Sequence, residues 1–183
     1  FFPGCPGTGK DTDMTPTELL LDRASCKSYT SEPLLPDEAR LIVQAGQAAP
    51  SGMNRQPTAF LAVLDPAIRD RLSRLNAAVL QTKTDPFYGA PAVFAVLADP
   101  SASTYLYDGS LAAGQMLLQA NALGLGSCWI HRAKEVFETE EGKSILKQAG
   151  LPEDYEGIGF VIAGHPATKP AVKKKTSLTG WLV

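Results

Sequence analysis

Two stretches of this 183-residue chain place chemically capable side chains close together. The first is Arg23-Ala24-Ser25-Cys26-Lys27-Ser28-Tyr29. Extended from Arg23, its period-2 alternation sets Arg23, Ser25 and Lys27 on one face. Two cations and a hydroxyl then converge, as a phosphate requires. A solvated helix end, with positive charge complementing the dipole, uses the same residues, and on spacing alone the two readings stand level. The second stretch is the loop Ala49-Pro50-Ser51-Gly52-Met53-Asn54-Arg55-Gln56-Pro57. Pro50 and Pro57 fix φ at both ends, and Gly52 permits backbone angles that other residues resist. Ser51, Asn54 and Gln56 offer donors and acceptors suited to the edge of a planar heterocycle. An ordinary helix-to-strand connection is built from the same residue types.

Other chemistry is thinly supported. Cys128 and His131 have C-x-x-H spacing, but two ligands do not make a zinc site, and no metal is expected. Cys26 reads as a redox thiol between cations or, in the blander reading, as a small inward-facing side chain. Two histidines and no nucleophile motif leave a catalytic triad without support. Gly4 and Gly9-Lys10 imitate a P-loop, but Asp11 stands where Ser or Thr should hold magnesium and no strand can precede it.

Composition bounds the rest. An apolar fraction of 44% and a charged fraction of 20% are those of a globular domain, and the length suits one domain with a real core. A formal charge of −2 argues against general nucleic-acid binding. No stretch approaches a membrane span, and there is no signal-peptide pattern. Three widely spaced cysteines suggest no disulfide framework, so a reducing cytoplasm fits best. Residues 1–13 read as a disordered leader or expression scar, and 14–183 as the domain.

The elements that must position these stretches follow from pattern. Thr15-Pro16-Thr17-Glu18 starts a short helix with a capping box. Pro36 opens a second helix with Ala39, Ile42, Val43, Gly46 and Ala49 as its buried stripe. Residues 58–64 read as a buried strand. Asp65-Pro66 starts a helix with Ile68, Leu72, Leu75 and Val79 on one side and its three arginines elsewhere. A loop from Lys83 to Gly89 leads to Pro91–Ala98, apolar on both faces and therefore a central strand. Asp108 is expected to cap a long helix through Leu123, apolar enough to be buried all round, either inside one subunit or shared between two. Ser127–His131 and Gly157–Gly164 are further strands, with a helix between them that begins after Thr139 and ends at Ala149-Gly150. A tail from Pro166 carries Lys173-Lys174-Lys175 and the apolar Trp181-Leu182-Val183.

From Met14 to Val183 these pieces resemble the nitroreductase family of FMN-dependent oxidoreductases. Four signatures carry the resemblance: Arg23/Ser25/Lys27/Tyr29; the Ala-Pro-Ser-x-x-Asn-x-Gln-Pro loop; Ala120 with Leu123-Gly124-Leu125-Gly126-Ser127-Cys128-Trp129-Ile130; and Gly164-His165-Pro166 followed by Lys173 and Lys175. The resemblance implies an α+β fold, a central, mainly antiparallel sheet wrapped by helices, in a homodimer with FMN at the interface. Arg23, Ser25 and Lys27 would contact the phosphate, ribityl chain and pyrimidine side of the flavin, and Lys173 and Lys175 the phosphate. Pro50, Ser51, Gly52 and Asn54 would line the flavin of the partner subunit. The backbone of Ile130, His131 and Arg132 would approach N5 and O4. The chain departs from the family pattern in its short 83–89 loop, in Thr58 after Gln-Pro, and in lysines where arginine is frequent in the tail.

The implied chemistry is hydride transfer from NADH or NADPH through FMN to a nitroaromatic, quinone or similar small acceptor, both substrates using one open face in turn. No protein nucleophile is needed, because the cofactor carries the chemistry. Lys27 is the expected electrostatic group, since a fixed cation near N1 and O2 favours the reduced flavin. A non-catalytic FMN-binding sensor or flavin carrier on the same scaffold is the alternative, separated from the enzyme by NAD(P)H oxidation under turnover.

Overall fold

Ala92–Ala98 is an unbroken run of apolar residues, and every one is buried. Such a segment needs partners on both edges and cover on both faces. The computed structural model, which describes residues 14–182, supplies them. Strands β1 (Thr58–Val63), β2 (Ala92–Ala98), β3 (Gly126–Ile130) and β4 (Glu156–Gly164) form one sheet in the order β1-β2-β4-β3. All three pairings are antiparallel, and Phe94 faces Val161 across the two central strands.

Among the described residues six helices surround it: α1 (Pro16–Asp22), which packs on α4 rather than on the sheet, α2 (Pro36–Gln47), α3 (Pro66–Leu80), α4 (Tyr105–Ala122), α5 (Ala133–Glu138) and α6 (Glu140–Gln148). Side-chain alternation along β2 divides the core. Ala92, Phe94, Val96 and Ala98 face Ile42 of α2 and Ala112, Ala113 and Met116 of α4. Val93, Ala95 and Leu97 face Leu72 of α3, Val136 and Phe137 of α5 and Leu146 of α6. Phe94 and Phe160 are fully buried, and each contributes about 2–3 kcal/mol of hydrophobic stabilisation. The result is a sheet between two helical layers, the expected α+β arrangement.

Local starts obey the expected chemistry. Thr15 accepts from the Glu18 N–H while Glu18 reaches back to the Thr15 N–H, closing the capping box. Asp65 caps α3 and Thr139 caps α6 through side-chain oxygens. Gly150, with φ of 71°, closes the α6 end.

Several expectations need correction. β1 is an edge strand whose Thr58, Ala59 and Phe60 are only half-buried, because a sheet of four strands leaves it one neighbour. Asp108 does not cap α4; it lies inside the first turn, preceded by Thr104 at the cap position. α4 is not buried all round within this chain. Gly109, Ala112, Ala113, Met116 and Ala120 face the core, while Leu106, Tyr107 and Leu111 are exposed on the other side. Helix α5 is absent from the sequence reading: six residues make too short a periodic pattern. Residues 166–182 form no helix or strand, and Trp181 and Leu182 are exposed. Residues 1–13, read above as a leader with a P-loop imitation, and Val183 lie outside the described residues. No described helix is long and apolar enough to cross a membrane.

Candidate functional site

Residues 23–29 are extended, not a helix end. Arg23 follows α1 with φ −62° and ψ 121°, and Ser25 bridges Ser127 in parallel with β3. The Cys26 N–H donates to the Ser127 carbonyl at 2.8 Å, and Tyr29 bridges Pro166. This settles the ambiguity left by spacing. The alternation turns Cys26 inward, where it is 1% exposed and its thiol donates to the Ser28 carbonyl, which is the small-side-chain reading.

Beside this segment opens a cavity of about 620 Å³, within the range of cofactor pockets. Arg23, Ser25 and Lys27 form one wall. Cys128 to Arg132, at the end of β3, form a second. Leu80 and the loop through Thr84, Asp85, Pro86 and Tyr88 form a third, and Ala171, Lys173 and Lys175 of the tail complete it. Five cationic side chains therefore line one cavity: Arg23, Lys27, Arg132, Lys173 and Lys175. Among the described residues, Arg23, Lys27, Lys173 and Lys175 make no ion pair with a carboxylate. Their charge is available to a ligand.

The β3 end is held by a residue absent from the sequence reading. Asn76 of α3 is fully buried; its amide donates to the His131 carbonyl at 2.9 Å and accepts from Arg132 Nε at 3.1 Å. Arg132 adopts a left-handed backbone, φ 76° and ψ 20°, so the chain turns sharply from strand into α5. A polar residue one turn from buried Leu72, on an otherwise apolar stripe, was the available signal. Trp129 lies across β4 at Gly159, where a Cβ would come within 2.3 Å of the indole nitrogen, and it stacks at 5.5 Å on His131.

The third wall turns on Asp85. Its carboxylate accepts from the Ser73 hydroxyl at 2.6 Å, from the Phe87 and Gly89 N–H groups, and from Arg69. Burial pushes this carboxyl up, but the bonds from Arg69, Ser73, Gly89 and Phe87 outweigh it and hold it below the ordinary 3.8. Arg69, off the apolar side of α3, is thus a structural cation facing inward. Burial also pushes the Cys128 thiol up, which keeps it protonated and a poor nucleophile.

The 50–57 loop does not line this cavity. A short 3-10 turn (Gly52–Asn54) follows Ser51, and Met53, Asn54 and Gln56 carry positive φ. Gly52 itself does not. Its requirement is space: a Cβ there would meet Thr104 Oγ1 at 2.4 Å. The Gly52 N–H donates to Asp108 Oδ1 at 3.0 Å, and the Thr104 hydroxyl donates to Asp108 Oδ2 at 2.8 Å. Asp108 therefore binds the loop to α4. The structure brings together Arg23, Ser25, Lys27, Ile130, His131, Arg132, Lys173 and Lys175. Pro50, Ser51, Gly52 and Asn54 stand apart from them.

A second cavity, of about 560 Å³, shares Arg23, Ser25 and Trp129 with the first and is floored by Leu111, Gly114 and Leu118 of α4. The cation-lined site thus runs directly into an open apolar helix face.

Comparison with known proteins gives a consistent result. Residues 20–165 match the model of the nitroreductase family. A protein of Archaeoglobus fulgidus named "Putative NADH dehydrogenase/NAD(P)H nitroreductase" is 31% identical over 155 residues, covering 81% of this chain and 84% of that one. The FMN reductase [NAD(P)H] of Bacillus subtilis is 25% identical over 173 residues, covering 85% of this chain and 68% of that one. The crystal structure of a nitroreductase with bound FMN from Bacteroides fragilis superposes with a TM-score of 0.79 at 27% identity, covering 91% of this chain and 96% of that one.

Proposed function

The chain belongs to the nitroreductase family, and from that premise we propose that it is an FMN-dependent NAD(P)H oxidoreductase. The observation that carries this reading is the convergence of Arg23, Lys27, Arg132, Lys173 and Lys175 on one cavity. That donor set fits FMN: a dianionic phosphate calls for several cations, and a ring with polar edges calls for fixed hydrogen-bonding groups.

When bound, FMN supplies the capacity to take hydride from NADH or NADPH and pass it to an acceptor. The chain binds and orients it. Arg23, Ser25, Lys173 and Lys175 would hold the phosphate and ribityl chain, Arg23 through its bidentate fork. Lys27 would stand at the pyrimidine side, where a fixed cation stabilises negative charge. The backbone of Ile130, His131 and Arg132, fixed by Asn76, would present polar groups to the ring edge.

The acceptor we propose is a small nitroaromatic or quinone. We also propose a homodimer in which Pro50, Ser51, Gly52 and Asn54 complete the partner's site. The exposed Leu106, Tyr107 and Leu111 on α4, and the apolar cavity contiguous with Arg23 and Ser25, support that assembly. The cysteine usage fits a reducing cytoplasm.

The test is an absorbance spectrum of the purified protein, with added FMN where needed, followed by anaerobic NADH and NADPH titration. Flavin bands that bleach on addition of reductant are expected. A preparation that neither carries nor takes up FMN overturns the proposal.

A further inference from the structure

Tyr88 combines features that core packing does not explain. Its backbone is left-handed, with φ 53°, a region that crowds a bulky side chain and that Asn and Gly adopt more readily. Its side chain is exposed, so burial does not compensate. It lines the cation-bearing cavity, and the Lys27 ammonium lies 5.2 Å from its ring centroid. A cation at that distance is attracted by the ring face.

The surroundings enforce this conformation from both sides. Phe87 is fully buried, in edge-to-face contact with Phe160 at 5.2 Å, and the Arg69 guanidinium lies over its ring. Asp85 accepts from the N–H groups of both Phe87 and Gly89, while the Tyr88 N–H donates to the Asp85 carbonyl. Residue 88 cannot relax to a right-handed conformation without loosening that set. Backbone strain held in place by over-determined neighbours points to a use.

We infer that Tyr88 is a positioning residue: its ring seats the Lys27 ammonium inside the cavity and so sets how strongly the site favours reduced over oxidised flavin. This rests on the FMN reading above. A lysine stem leaves its ammonium free among many rotamers. A carboxylate partner would hold it but cancel its charge. An aromatic face holds it and leaves the full charge directed at a ligand. The ring does this work, and the phenol hydroxyl is not required.

The experiment is an anaerobic redox titration of the FMN-loaded protein against a reference dye, read by flavin absorbance. Wild type is compared with Tyr88→Phe, Tyr88→Asn, Lys27→Gln and the Tyr88→Asn/Lys27→Gln double variant. Asn is chosen because it adopts the left-handed backbone readily, and Tyr88→Gly repeats the test without any side chain. Tyr88→Phe should match wild type. Tyr88→Asn should lose about five- to tenfold of the preference for reduced flavin, a downward shift of about 20–30 mV for a two-electron couple. Lys27→Gln should shift the potential the same way and at least as far, and the double variant should equal Lys27→Gln alone. An unchanged potential in Tyr88→Asn overturns the inference. So does an equal loss in Tyr88→Phe, or a loss on Tyr88→Asn that persists undiminished in the Lys27→Gln background. A wild-type protein that takes up no FMN overturns both this inference and the reading beneath it, and is seen before any potential is measured.

Discussion

Asp108→Ala removes the carboxylate that fastens the 50–57 loop to α4. The side chain is 4% exposed and accepts from the Gly52 N–H at 3.0 Å and the Thr104 hydroxyl at 2.8 Å. Hydrogen bonds to a charged group contribute about 1.5–3 kcal/mol each. The Thr104 hydroxyl can rotate to another acceptor, which puts its share at the low end. Gly52 packs directly against Thr104, so its N–H has little freedom to find a substitute. The expected loss is about 3 kcal/mol, and in a chain of this size each kcal/mol lowers Tm by about 2–4 °C. Asp108→Ala should therefore melt about 6–12 °C below wild type. Thr104→Val, which removes one of the two bonds, should lose about half as much. Thermal and urea unfolding followed by circular dichroism would measure this, at one protein concentration and one FMN concentration, because association and ligand both raise Tm. An Asp108→Ala melting temperature within about 1 °C of wild type would refute the reasoning.

Three further outcomes are expected. Arg23→Ala should weaken FMN binding by about one to two decades, with Arg23→Lys between it and wild type; equal dissociation constants in a fluorescence titration of apoprotein would remove Arg23 from the phosphate site. Asp85→Ala should cost about 2–3 kcal/mol, since Arg69 loses a partner, with the value discounted because Asp85 is partly exposed. The Asp85 carboxyl is held below 3.8, so its stabilisation is complete above that value and is lost as the pH falls through the lower folded pKa; urea midpoints from about pH 5 down to pH 2 should show that loss in wild type and not in the variant. Sedimentation of the FMN-loaded protein at micromolar concentration should give a dimer, and a well-folded monomer with bound FMN would count decisively against the proposed interface.

The fold was legible wherever one local rule dominated. The all-apolar run at Ala92–Ala98 could only be a central strand, and Thr15, Asp65 and Thr139 marked helix starts through capping chemistry. Alternation could set Arg23, Ser25 and Lys27 on one face, but spacing alone left a helix end equally open, and only the pairing of Ser25 with Ser127 fixes the extended form. What stayed hidden depends on long-range partners. Asn76 acts on His131 and Arg132 from a different helix, and Asp85 gathers Arg69 and Ser73 across a turn. Asp108 looked like a cap because its helix starts four residues earlier, with Thr104 at the cap position. Gly52 was expected to serve unusual backbone angles, yet it is needed for clearance from Thr104, a constraint invisible without the packing of α4.

The parallel bridge between Ser25 and Ser127 has a consequence for how the chain acquires its site. These residues are about a hundred positions apart, and they close the wall that carries Arg23, Ser25 and Lys27. Pairings of such separation form late, because a long loop must be closed before they return any stabilisation. During synthesis, the N-terminal cations must wait for β3, and the cavity waits longer still for the tail lysines. The cavity is complete only after β3, β4 and the tail have joined the fold, so cofactor uptake reports completed folding.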